Sequence, residues 1–118
     1  MHQYKAKLVR VVDGDTLDLS VDLGFNITIN ERFRLYGIDT PETRTRDLEE
    51  KEQGLKAKQF VIDNLKDREI YIDTFKGKGK YGRWLAKIFY KVEENGLINL
   101  NDLLVSKGLA KTYFGGRK

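Results

Sequence analysis

The sequence predicts an α+β fold that is mainly β: a five-stranded OB-like barrel carrying two helices, with residues 1–118 as one domain. Three observations lead there. Apolar and polar residues alternate through much of the first 36 positions, a helical pattern follows Gly54, and two β-rich segments and a short helical one complete the chain. At 118 residues and 40% hydrophobic content there is enough material for one core. No internal repeat or linker divides it.

The first strand is KAKLVRVV, and the second is TLDLSVDL, where Leu17, Leu19, Val21 and Leu23 alternate with Thr16, Asp18, Ser20 and Asp22. Asp13-Gly14 between them is a hairpin turn signal. After Gly24 the alternation continues through Phe25, Ile27 and Ile29 into RFRLYG, giving three antiparallel strands by residue 36. Beyond Gly54, LKAKQFVIDNL places Ala57, Val61 and Leu65 at helical spacing, with Leu55 and Ile62 alongside. REIYIDTF and WLAKIFYKV are the fourth and fifth strands, joined by the glycine-lysine loop KGKGKYGR. Glu94-Asn95-Gly96 is a further turn. A second helix covers Leu100, Leu103 and Leu104, with Asn99 as N-cap and Gly108 as its stop.

Twenty-two Lys and Arg against eighteen Asp and Glu leave a net charge of +4, unevenly spread. From Lys76 to Lys91 there are six positive residues and no negative ones, whereas residues 39–52 hold six acids and three bases. A basic segment beside an acidic one suits a polyanion-binding surface next to a cation site; a solvated lysine face is the plainer alternative. No run approaches the ~18 apolar residues of a membrane span, and MHQYKAK lacks the apolar stretch of a signal peptide. The expectation is a chain without membrane contact, cytoplasmic as written and secreted if a leader once preceded it. Cysteine is absent, which excludes disulfides and thiolate zinc sites and leaves the compartment open.

Gly77, Gly79 and Gly82 satisfy the spacing of a dinucleotide-binding loop, but that loop needs a helix after it, and WLAKIFY reads as a strand. The acids are more informative. VVDGDT puts Asp13 and Asp15 at the first hairpin, while Asp39, Thr40 and Glu42 surround Pro41, the chain's one proline. Proline biases Thr40 towards an extended conformation and offers no amide donor, so the Thr40 carbonyl is available to a cation. Carboxylates and a carbonyl suit Ca²⁺ or Mg²⁺; ordinary turn aspartates are the alternative.

VVDGDTLDL, FRLYGIDTPE, KYGRWLA and LVSKGLAK stand in the order found in the thermonuclease family, and over nearly its whole length the chain resembles a staphylococcal nuclease-like domain. The resemblance implies an OB-type barrel and a Ca²⁺-dependent phosphodiesterase acting on DNA and RNA, with a preference for single-stranded regions and 3′-phosphate products. By position, Asp15, Asp39 and the Thr40 carbonyl match the calcium ligands, and Arg34, Glu42 and Arg83 match the catalytic group. Lys80 and Tyr81 match contacts to a terminal phosphate, with Lys78 in the same basic loop. Where the family stacks a tyrosine on a base this chain has Phe114, with Tyr113 one position earlier, so stacking is retained without the hydroxyl.

The chemistry of phosphodiester cleavage agrees with that set. It needs an aimed water, a cation on the non-bridging oxygens and donors for the charge that grows in the transition state. Arg34 and Arg83 supply planar forks that lysine does not reproduce. Glu42 orients or deprotonates the water. The family's third helix is expected to be absent, since only ten residues follow Gly108, and Gly115 to Lys118 are expected to be disordered. A monomer with no obligate protein partner is expected. The alternatives are a catalytically weak or inactive OB-type nucleic-acid-binding module, and a partner-binding domain that leaves the basic loop unexplained.

Overall fold

The computed structural model describes residues 2–78, 84–92 and 96–113. Strand β1 (His2–Asp13) turns back through Gly14 and Asp15 into β2 (Thr16–Gly24), and β3 (Ile27–Leu35) follows antiparallel. A two-residue β4 (Ile38–Asp39) leads to helix α1 (Leu48–Leu65), then to β5 (Ile70–Lys78) and β6 (Trp84–Val92). β7 (Gly96–Asn99), α2 (Leu100–Ser106) and β8 (Lys111–Thr112) complete the described order.

The sheet runs β3-β2-β1-β5-β6-β7, and a parallel pairing of β3 with β6, at Phe33↔Trp84, Arg34↔Leu85 and Leu35↔Ala86, closes its first five strands into the expected OB-like barrel. Every other pairing is antiparallel. The alternation seen in sequence is the barrel's inside and outside: Leu17, Leu19 and Leu35 are fully buried, with Val21 and Phe33 nearly so. Ile70, Ile72 and Ile88 meet them from β5 and β6. Val61 and Leu65 of α1 and Leu100 and Leu104 of α2 complete the core. Truncating any of the large ones to alanine removes about 2–5 kcal/mol.

Three local expectations change. The first turn is centred on Gly14-Asp15, with Asp13 opposite Thr16, one residue later than Asp13-Gly14 implied. Phe25 does not continue a strand. It shares a tight turn with Asn26, at φ 54° and 60°, and is 96% exposed. Helix α1 begins at Leu48 rather than after Gly54, because the Asp47 carboxylate accepts from the N–H groups of Glu49 and Glu50 and caps it there. Gly54 then lies inside the helix and buried. The second helix is as expected, with the Asn99 side chain accepting from Asp102 N–H at 3.1 Å and Gly108 at φ +73° behind it. No described helix is long and apolar enough to cross a membrane.

Candidate active site

The barrel brings the first hairpin turn and the end of β3 to the same rim. Thr16 stands opposite Arg34 in the β2–β3 ladder, and Leu35 N–H donates to the Asp15 carbonyl at 2.9 Å, so the turn is held against the strand that carries the arginine. Asp15 is buried and both its carboxylate oxygens accept hydrogen bonds. Oδ1 takes the Thr16 hydroxyl at 3.0 Å, and Oδ2 takes the Thr40 N–H at 3.1 Å. That second bond spans 25 residues and joins the two acidic motifs directly.

Arg34 is 13% exposed at its side chain, with Nη2 3.2 Å from Asp39 Oδ1 and 3.8 Å from Asp15 Oδ2. Its guanidinium carbon lies 5.2 Å from the centre of the Tyr113 ring. Tyr113 is placed there by its own N–H, which donates to the Gly37 carbonyl at 2.7 Å, and by the pairs Ile38↔Thr112 and Asp39↔Lys111. Asp15, Arg34, Asp39, Thr40 and Tyr113 therefore lie together at this rim. Glu42 is exposed and lines a cavity of about 540 Å³ together with Asp39, Thr40, Glu50 and Lys111. Its N–H donates to Glu50 Oε2 at 3.3 Å, which ties the segment to α1. The side chain of Lys78, and residues Lys80, Tyr81, Arg83, Phe114 and Gly115 to Lys118, lie outside what is described.

Within this group two carboxylates, Asp15 and Asp39, face one guanidinium. The Thr40 hydroxyl is buried and has no hydrogen-bond partner. Carboxylates and a threonine hydroxyl are hard oxygen donors, the chemistry of a calcium or magnesium ligand set, and of these the Thr40 hydroxyl is the one shown without a hydrogen bond. Among the described residues no three His, Cys, Asp or Glu side chains group to hold a metal ion.

Residues that the sequence reading left unassigned hold this arrangement. A Cβ at Gly14 would lie 2.8 Å from Ala57 Cβ, and one at Gly54 would lie 2.6 Å from the Glu42 carbonyl oxygen and 2.7 Å from that of Pro41. Helix α1 thus rests its small face on both acidic motifs. A glycine inside a helical pattern signals such a close approach. The Thr43 hydroxyl donates to Asp13, a further link between the motifs.

Comparison with known proteins adds the family. Residues 32–118 match the family described as staphylococcal nuclease homologue. An uncharacterized protein of Methanocaldococcus jannaschii is 37% identical across 93% of this chain. A thermonuclease of Staphylococcus hyicus is 30% identical across 92%, and a micrococcal nuclease of Shigella flexneri 32% across 93%. The chain spans 59% of the length of each of these three relatives.

Proposed function

This chain belongs to the staphylococcal nuclease family, and from that premise we propose that it is a calcium-dependent nuclease hydrolysing phosphodiester bonds of DNA and RNA. The observation that carries this reading is the convergence of Arg34 with Asp15, Asp39 and Thr40 at one rim of the barrel. A preference for single-stranded regions, 3′-phosphate products and action as a monomer belong to the same proposal.

Each residue has a role in it. Asp15, Asp39 and Thr40 hold the cation, whose chemistry is to neutralise charge on the phosphate. Arg34 presents donors to a non-bridging oxygen as charge accumulates there, and its low exposure makes that interaction stronger than it would be in water. Arg83, just ahead of β6, provides the second fork. Glu42 faces the open cavity and hydrogen-bonds or deprotonates the attacking water. Lys78, Lys80 and Tyr81 hold the flanking phosphate, and Tyr113 and Phe114 take bases by stacking.

The test is cleavage of denatured DNA in Ca²⁺, in Mg²⁺ and in EDTA. Turnover is expected with Ca²⁺, much less with Mg²⁺ and none with EDTA. Equal rates in all three would overturn the cation assignment, and salt-sensitive binding with no cleavage in any would mark a binding module instead.

A further inference from the structure

Asn101 is the second residue of α2 and only 2% exposed, a position where a helix resting on a barrel would ordinarily put an apolar side chain. Its carboxamide makes three hydrogen bonds, all to backbone outside its own helix. Nδ2 donates to the Tyr36 carbonyl at 2.8 Å and to the Ala86 carbonyl at 3.3 Å, and Oδ1 accepts from Ile88 N–H at 3.1 Å. A buried amide satisfied in this way has its donors and acceptor matched one by one to the backbone.

The place is a mechanical junction. Among the described residues β3 and β6 are paired at three positions, ending at Leu35↔Ala86, and Tyr36 N–H to the Ala86 carbonyl at 2.8 Å follows. Gly37, at φ +80°, then turns the chain away from β6 towards Asp39 and Thr40. Asn101 grips both sides of this seam where it ends. A slip of either strand against the other breaks at least one of its bonds.

We propose that Asn101 is a positioning residue for the nuclease site, one that locks the segment carrying Asp39 and Thr40 onto the strand that begins directly after Arg83. The proposal rests on the nuclease reading above. The two arms of the proposed site come from distant parts of the chain, Arg34 to Glu42 on one and Arg83 on the other, and the β3–β6 ladder with the Asn101 bonds at its end holds the first arm against the strand that follows the second. An error near 1 Å in such spacing lowers a rate by about 10²-fold. Asparagine is specified because the junction needs two donors and an acceptor on one short side chain. Aspartate keeps the shape, lacks both donors, and sets a carboxylate against two carbonyls.

The experiment compares Asn101→Asp and Asn101→Ala with Leu104→Ala, a core truncation in the same helix that touches neither strand's hydrogen bonds. Asn101→Ser, which puts one short hydroxyl in place of the carboxamide, replaces Asn101→Asp if that variant does not fold. Two readouts are taken well below each melting transition: amide hydrogen exchange at residues 36–40, and kcat and KM on denatured DNA with Ca²⁺. The Asn101 variants are expected to exchange about 10-fold or more faster at residues 36–40 than the Leu104→Ala control, and to lose roughly 10–100-fold in kcat with KM little changed. Asn101 variants that match the control in both readouts would reduce the residue to a contributor to stability and overturn the proposal. The exchange readout needs no activity. A wild-type chain without cleavage removes the nuclease reading, and the clamp then stands or falls on exchange at residues 36–40.

Discussion

Replacing Gly54 with alanine sets helix propensity against a specific steric contact. In the interior of an exposed helix the change stabilises by about 1 kcal/mol. Here the added methyl would lie 2.6 Å from the Glu42 carbonyl oxygen, 2.7 Å from that of Pro41 and 2.8 Å from the Glu42 carbonyl carbon. Comfortable contact distances are about 3.5 Å, so the helix or the Pro41–Glu42 segment must retreat by most of an ångström. All three obstacles are backbone atoms, which do not swing aside as a side-chain end does. Overpacking of this kind costs roughly 1–3 kcal/mol, which outweighs the propensity gain. The net expectation is a loss of about 1–2 kcal/mol and a melting temperature lower by about 5 °C. Because the displaced segment carries Glu42 and adjoins Thr40, kcat should fall by about 10-fold as well. Thermal melts and DNA cleavage by Gly54→Ala, with the exposed neighbour Gln53→Ala as a control for propensity, measure both effects. A Gly54→Ala chain that melts higher than wild type and keeps its turnover would show that α1 does not seat the acidic motif.

Arg34→Ala should fold and lose roughly 10²–10³ in kcat, the scale for one preorganised donor. Because Asp15 and Asp39 are then left without their guanidinium, calcium should raise its melting temperature by more than it raises that of wild type, and near-normal turnover in the folded variant would refute the role. At the other side of the barrel, Arg32 hydrogen-bonds Asp18 at 2.8 and 3.1 Å, and that bond with its charge holds the Asp18 carboxyl below its ordinary value. The unfolded chain therefore takes up this proton first as pH falls. The pair's stabilisation is complete above about pH 4 and drains away as pH drops through the lower folded value. With side chains 25% and 47% exposed, the pair contributes no more than about 1 kcal/mol. Urea midpoints of Asp18→Asn should fall less steeply below about pH 4 than those of wild type, and identical curves would show that the bridge contributes nothing.

The barrel was legible because its strands carry the alternation that a half-buried sheet requires, and Leu17, Leu19, Phe33 and Leu35 could face only inward. The second helix was legible for a local reason too. Asn99 and Gly108 act within a turn of the helix they delimit. The start of the first helix was not, since Gly54 looks like a boundary until Pro41 and Glu42, distant in sequence, are seen against it. Asp47, the true cap, stands among acids and arginines that give no periodic apolar signal.

The sequence by itself determined the order of the five barrel strands and two helices, the carboxylates and arginines around DGDT and RLYGIDTPE, and through them the family resemblance. Only the tertiary structure decided that β3 and β6 meet in parallel, that Asp15 reaches the Thr40 N–H, that Arg34 lies between two carboxylates, and that Asn101 spans the seam. Periodicity, turns and caps are set by interactions over a few residues, so they can be read along the chain. Which distant groups satisfy one another is set by barrel closure. No residue's neighbours in sequence contain that information.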